Sequence, residues 1–209
     1  MKLQFYILLL LLLVSHIGVS QKQISKEFEA LGIEKISIVS DAIFKVSINT
    51  TLEKKITIAA TFEGELFDKV FLNVKQHDNN LELTTSFLPD FIPINDKLAA
   101  HKLLSIELVL KIPKGFVIEI QSELASLIAI GEYKNIQASL QSGNCDLFDF
   151  SGNATIKTFE GNIHIEAQTV IYGQGISING TVINELINPA NYLILAETNK
   201  GSIVMVQKK

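Results

Sequence analysis

From Lys35 onward the apolar residues fall on alternate positions: Ile36 and Ile38, then Phe44, Val46 and Ile48, then Ile56 and Ile58. Successive strand residues point to opposite faces, so this period of two predicts strands with one buried face, and the β-branched side chains suit them. Val70, Leu72 and Val74 precede a polar break from His77 to Asn80, and Leu81 and Leu83 follow it. That predicts a hairpin turning on Asp78, Asn79 and Asn80. Ile106, Leu108 and Leu110 continue the alternation, and Ile112-Pro113-Lys114-Gly115 turns the chain into Phe116, Ile118 and Ile120. Residues 21–34 are polar with weak periodicity and read as a lead-in segment or a short first strand. The one candidate helix, of a turn or two, is Asp96 to Leu104, inside a loop over 86–104 that holds Pro89 and Pro93.

Glycine usage changes along the chain. Between Gln21 and Lys114 only Gly32 and Gly64 occur, whereas nine glycines follow from Gly115 onward. Tight, recurring corners are expected there. Gly143-Asn144-Cys145-Asp146-Leu147 lies over Gly161-Asn162-Ile163-His164-Ile165 at an offset of 18 residues, and Ala125-Ser126-Leu127-Ile128-Ala129 stands 18 earlier without the glycine. Gly180 comes 19 residues after Gly161, and Gly201-Ser202-Ile203-Val204-Met205 comes 21 after that. Leu127, Cys145, Ile163 and Ile203 then form one inward file, and Ala129, Leu147, Ile165 and Met205 form the next. A second strand per period is read in Ile136, Ala138 and Leu140 over Ala154, Ile156 and Thr158, followed by Ile176 and Ile178 after a two-residue insertion.

Self-similarity at about 20 residues, with glycine at the corners, predicts stacked β coils. One such coil cannot bury its own apolar side. Stacked coils about 4.7–4.9 Å apart pair their backbones and lay like residues over like. Cys145 falls in an inward file and reads as a small core residue rather than a reactive thiol. The fold class expected is therefore all-β, with a β-solenoid over 105–209 and an antiparallel, strand-rich region over 35–104, the whole of 35–209 forming a single domain. The alternative architecture is a β-sandwich of hairpins.

Composition narrows the class and the location. Apolar residues make up 47% of the 209 and charged residues 19%, enough to build a core. There is no arginine, and 18 lysines face 22 acids, which argues against a nucleic-acid partner. Behind Lys2, Phe5 to Val14 is an unbroken apolar run, short of the roughly 20 residues that a bilayer core demands. Gly18 and Ser20 then supply small residues for a cut after Ser20. A secretory signal over 1–20 is expected, with no integral span in the mature chain from Gln21. An uncleaved anchor lengthened by Ile17 and Val19 is the competing reading. Removing 1–20 takes away one lysine and no acid, so the net charge of −4 becomes −5. Cys145 has no partner in the chain, so no disulfide holds this exported domain.

With its signal segment, its alternating first half and its Gly-Asn-Ile-x-Ile and Gly-x-Ile-x-Ile coils, the chain resembles the adhesin-like proteins of Bacteroidetes. Those belong to families of unknown function described as auto-transporter adhesin head domains. The likeness runs from about Lys35 to Val206 and rests on Gly143-Asn144, Gly161-Asn162-Ile163, Gly175-Ile176-Ser177-Ile178 and Gly201-Ser202-Ile203. It implies a right-handed β-helix, a secreted or cell-surface location and an adhesion role. It supplies no catalytic residues to carry over.

Chemistry is sparse. The 18-residue offset sets Asp146 beside His164 on the outer face, with Asp149 and Glu166 near, a pairing that could serve general-base or glycosidic work but is also an ordinary polar cross-strand neighbour. His77, His101 and His164 show no zinc spacing. Asp90, Asn95 and Asp96 lack the acidic ladder of a calcium loop. Ser177 stands between glycines at a spacing unlike a nucleophile elbow and is expected to face outward between inward Ile176 and Ile178. Asn49-Thr50-Thr51, Asn153-Ala154-Thr155 and Asn179-Gly180-Thr181 fit the glycosylation triplet, which matters only in a eukaryotic host. Phe87 and Phe91 either meet a partner or fold over the open end of a core. No catalytic residue, metal or cofactor is expected, and ligand-binding residues stay unassigned. The function expected is an exported, non-enzymatic binding module for a protein or glycan at the cell surface. The alternatives are an envelope structural or signalling partner acting through the loop from Phe87 to Leu104, and a carbohydrate-active enzyme using Asp146 and His164.

Overall fold

The computed structural model describes residues 21–89 and 104–208. The expected signal segment, nearly all of the expected helix at 96–104, and Phe91, Pro93, His101, Asp90, Asn95 and Asp96 lie outside them. The described residues form fifteen strands and no helix. In chain order they are β1 Gln21–Glu29, β2 Lys35–Val39, β3 Ile43–Thr51, β4 Lys55–Glu63, β5 Val70–His77, β6 Asn80–Phe87, β7 Ser105–Pro113 and β8 Val117–Ser122. They continue as β9 Ser126–Ser142, β10 Cys145–Glu160, β11 Ile163–Ala167, β12 Ile171–Asn179, β13 Val182–Asn184, β14 Tyr192–Lys200 and β15 Ile203–Gln207.

Pairing sorts these strands into two ladders joined by the long strands β9 and β10, which run through both. Ladder A has the order β1-β4-β7-β3-β9-β10-β11-β15-β13, and ladder B the order β5-β6-β2-β8-β9-β10-β14-β12. The sheet is open and does not close on itself, an arrangement compatible with the β-sandwich reading. Antiparallel pairing among the described strands is confined to β1 with β4, β4 with β7 and β5 with β6. Every other pair is parallel. The strands β2 and β3, taken from sequence for part of an antiparallel region, belong instead to the parallel stack, beside β8 and β9.

The inward files follow from the alternation. Ala60, Leu108, Val46, Leu127, Cys145, Ile163 and Ile203 stand opposite one another in turn across ladder A, and all are buried. Ile58, Leu110, Ile48, Ala129, Leu147, Ile165 and Met205 form the adjoining file, equally buried. Each valine, leucine, isoleucine or methionine in these files contributes about 1.5–3 kcal/mol by leaving water, and each alanine less. Ladder B faces these files: a Cβ on Gly175 would stand 3.0 Å from Val182 Cγ1 and 3.4 Å from Ile203 Cγ2. Gln21–Glu29, a lead-in or a strand by sequence, is a nine-residue strand along β4. The hairpin of β5 and β6 turns on Asp78 at φ 50°, as its Asp-Asn pair suggests.

The corners are built by three repeated contacts. A Cβ on Gly161 would fall 2.0 Å from the Gly143 carbonyl oxygen, so only glycine lets these backbones stack so closely. Beside it, Asn144 Oδ1 accepts the Asn162 N–H at 2.8 Å, and Asn162 Oδ1 accepts the Ser202 N–H at 2.8 Å. On the inner side the buried hydroxyls of Thr158 and Thr198 donate to the carbonyls of Gly143 and Gly161 at 3.2 and 3.0 Å. These two buried hydroxyls are thereby satisfied.

Three expectations are corrected. Ile176 and Ile178 are exposed rather than inward, because β14 and not β12 lies on β10. Ile194, Ala196 and Thr198 continue the files of Ala154, Ile156 and Thr158, with Gly173, Gly175 and Ser177 one strand further on. Ser177 accordingly turns in and donates to the Gly201 carbonyl at 2.7 Å, and the corner glycine of that level is Gly180, whose Cβ would fall 2.0 Å from the Gly201 carbonyl oxygen. Phe44 is also outward, since a bulge between Ile43 and Lys45 turns Ile43 into the core instead.

Candidate functional site

The alternation that sends Ile38, Ile120, Ala138 and Ile156 inward sends their neighbours to the outer face of ladder B. Parallel register stacks these neighbours in two columns. Ser37, Glu119, Gln137 and Thr155 form one, and Val39, Gln121, Ser139 and Lys157 form the other. Together they line a shallow depression of about 290 Å³.

Its electrostatics are arranged so that the centre is neutral. Glu119 pairs with Lys35 at 2.7 Å, and Lys157 pairs with Glu197 at 2.9 Å. Both pairs are part-exposed and contribute under about 1 kcal/mol each. They nevertheless hold the charges toward the two flanks. Between them, the carboxamides of Gln121 and Gln137 and the hydroxyls of Ser139 and Thr155 take no hydrogen bond from any side chain among the described residues. Each carboxamide offers two donors and an acceptor, and each hydroxyl offers both roles. The surface can therefore meet a polar, uncharged chain of alternating donors and acceptors.

The sequence-derived candidates lie elsewhere. Asp146 and His164 are cross-strand neighbours on the outer face of ladder A, as their spacing implies. His164 Nε2, however, meets Glu166 Oε1 at 3.2 Å, and its ring packs against Phe148 with centroids 5.7 Å apart. Burial raises the Asp146 carboxyl above its ordinary range, and His164 draws it partly back. Asp149 is taken up in an ion pair with Lys208. Next to this group Ile130 and Val206 continue the face. His77, expected in a turn, is the last residue of β5 and lies 3.9 Å from Glu82. Among the described residues no group of three or more His, Cys, Asp or Glu stands together in a way that could hold a metal. Cys145 is fully buried, and burial followed by the nearby Asp146 charge pushes its thiol far above the ordinary range. Phe87 is part-buried and packs against the core. No described helix is long and apolar enough to cross a membrane.

Sequence reasoning did not single out Gln121, Gln137, Ser139 or Thr155. The only signal that could have found them was their two outward columns, which follow once the 18-residue offset is extended back from Thr155 to Gln137 and Glu119 and from Lys157 to Ser139 and Gln121.

The fold is an all-β scaffold of two ladders, with a polar outer face on ladder B. Among solved structures, the chain is similar to a candidate cell adhesion protein from Clostridium sporogenes, with a TM-score of 0.63 and 17% identity over 90% of this chain and 100% of that one. It is also similar to a candidate adhesin from Bacteroides fragilis, with a TM-score of 0.43 and 12% identity over 91% and 100% of the two chains. At these identities the likeness to the first describes the fold alone. No family model and no curated protein matches the chain.

Proposed function

We propose that this chain is an exported, non-enzymatic, adhesin-like module, a right-handed β-solenoid whose outer wall binds a neutral glycan or extended polypeptide at the cell surface. The observation that carries the reading is the depression on ladder B, where Gln121, Gln137, Ser139 and Thr155 leave their hydrogen-bonding capacity unspent between two flanking ion pairs. Buried, satisfied polar groups hold a fold together, whereas an array of unspent ones on a rigid wall suits recognition. The parallel stacking of Leu127, Cys145, Ile163 and Ile203 supports the solenoid, and the apolar run from Phe5 to Val14 supports export. The fold shared with the Clostridium sporogenes protein supports an adhesion role.

The test uses residues 21–209 on a glycan array and against an immobilised random peptide library. Binding that is lost in Gln121→Ala/Gln137→Ala, with an unchanged circular dichroism spectrum and melting temperature, is the expected result. Retained binding in that variant removes ladder B from the role, and turnover of an arrayed glycan overturns the non-enzymatic reading.

A further inference from the structure

The depression on ladder B is longer across the strands than along them. β2, β8, β9 and β10 line it in turn, each through the same two outward columns. Three steps between neighbouring strands make about 14 Å, against about 6.7 Å from one column to the next. A chain lying along its length therefore crosses the strands and meets new side chains about every 4.7–4.9 Å.

Beyond the depression the two directions differ. Toward β6, the column of Ser37 meets Glu82, and Lys75 of β5 stands opposite Glu82. Covering these charges with a neutral ligand would strip them of water. In the other direction the column of Gln137 and Thr155 runs on to Leu195 of β14 and Gln174 of β12. Beside it Leu193, whose N–H donates to Asn153 Oδ1 at 3.0 Å, stands opposite Tyr172. Tyr172 and Gln174 face outward because Gly173 and Gly175 turn in, and Gln174 Nε2 donates to the Tyr172 hydroxyl at 3.4 Å. Leu193 and Gln174 are exposed, Leu195 and Tyr172 part-exposed, and none is charged. Glu197, one column over, is held by Lys157. The polar depression thus passes into a platform of aliphatic and aromatic carbon edged by a carboxamide.

We infer, taking ladder B as the binding wall, that its ligand is an uncharged, equatorially linked glycan laid across the strands from the level of Gln121 to that of Tyr172, one sugar to a strand. Register selects it over a polypeptide. A pyranose and its bridging oxygen advance about 5 Å, in step with the strands, whereas groups on one side of an extended polypeptide recur about every 6.6–6.8 Å and lose step within two strands. The surfaces also match. Equatorial linkage leaves hydroxyls around the rim of each ring and C–H bonds on its flat faces. The rims exchange hydrogen bonds with Gln121, Gln137, Ser139 and Thr155. The C–H faces lie on Leu195 and on the Tyr172 ring, a side chain that is apolar in body and polar at its tip. Strands β8, β9, β10, β14 and β12 make one subsite each.

The test is isothermal titration calorimetry of the purified protein with β-1,4-linked oligomers of glucose, mannose and xylose from trimer to hexamer, beside a hexapeptide of alternating serine and glutamine. At least one sugar series is expected to bind, with affinity rising up to about five units and then levelling, and the peptide is expected not to bind. Tyr172→Ala/Leu195→Ala, with an unchanged circular dichroism spectrum, is expected to weaken the hexamer by roughly tenfold or more and to leave the trimer as it was. Should that pair fail to fold, Leu193→Ser reads the same stretch. Gln121→Ala/Gln137→Ala is expected to weaken trimer and hexamer alike. Binding of none of the three series, a hexamer no tighter than the trimer, or a platform variant that weakens both equally overturns the inference. Peptide binding that is lost in Gln121→Ala/Gln137→Ala also overturns it, while leaving ladder B as the binding wall. Hexamer binding that survives this last variant removes ladder B itself.

Discussion

The side-chain carbonyl of Asn144 accepts the backbone N–H of Asn162 at 2.8 Å, and Asn162 passes the same contact on to Ser202. Each asparagine thus satisfies a corner N–H of the next level, one after another along the stack. Replacing Asn162 by alanine removes the acceptor for Ser202. Because the corner is exposed and water can substitute, a loss of about 0.5–1.5 kcal/mol is expected. Asn162→Asp keeps the acceptor and is expected to lose less. Urea denaturation midpoints for the two variants separate the outcomes, and equal losses would show that the side-chain carbonyl is not what matters.

Gly161 tests the close approach at the same corner. Its Cβ would overlap the Gly143 carbonyl oxygen, an atom of the backbone that cannot swing aside. Gly161→Ala is therefore expected to cost about 1–3 kcal/mol or more through a forced backbone shift. Gly32→Ala is a useful contrast, since no atom lies within 4 Å of its Cβ position and only its φ of 83° opposes the change. The alanine at 161 should lower the melting temperature further than the alanine at 32.

Those corners are also where the sequence was most readable, for a physical reason. Parallel stacking lays like over like, so Gly143 over Gly161 and Leu127, Cys145, Ile163 and Ile203 in one file appear directly as an offset. The order of levels left no such trace. The chain passes from β11 to β12 one level out and returns to place β14 between β10 and β12. Ile176 and Ile178 kept the alternation of a buried strand while Gly173 and Gly175 took the inward positions, so periodicity alone pointed the wrong way. The ladder B face was hidden for another reason. Glutamines, serines and threonines at outward positions look the same whether or not they bind anything, and only the register that gathers Gln137, Thr155 and Gln121 around one depression distinguishes them.

Cys145 gives a prediction in alkaline solution. Its thiol is buried and its ionisation is pushed far up by loss of water and then by Asp146. In the unfolded chain the thiol ionises near its ordinary value of about 8.5. Above that pH the unfolded state binds fewer protons than the native state, so stability falls as pH rises, by up to about 1.4 kcal/mol per pH unit. Below it the group is protonated in both states and contributes no pH dependence. Comparing the natural chain with Cys145→Ala between pH 7 and 10 isolates this contribution. The alanine variant starts lower, from its cavity, and is expected to decline less steeply. The native thiol should also resist aromatic disulfide reagents until the protein is unfolded.

Asp146 supplies the complementary case at acidic pH. Burial raises its carboxyl in the folded protein, with His164 as the smaller, opposing influence. A raised carboxyl means that the native state holds the proton more tightly than the unfolded state does, so the native protein is favoured by this group below the unfolded value of about 3.9. That advantage is lost as pH rises through the folded value. At neutral pH the natural chain therefore carries the cost of an ionised, part-buried carboxylate that Asp146→Asn does not. The asparagine variant is expected to be the more stable at pH 7, with the difference shrinking toward pH 3. His164→Ala should move Asp146 higher still, because its one favourable charge neighbour has gone. Carboxyl-carbon NMR titration of Asp146 checks the second point and thermal melts at the two pH values check the first. An Asp146 that titrates lower after removal of His164 would show that the imidazole does not stabilise its ionised form.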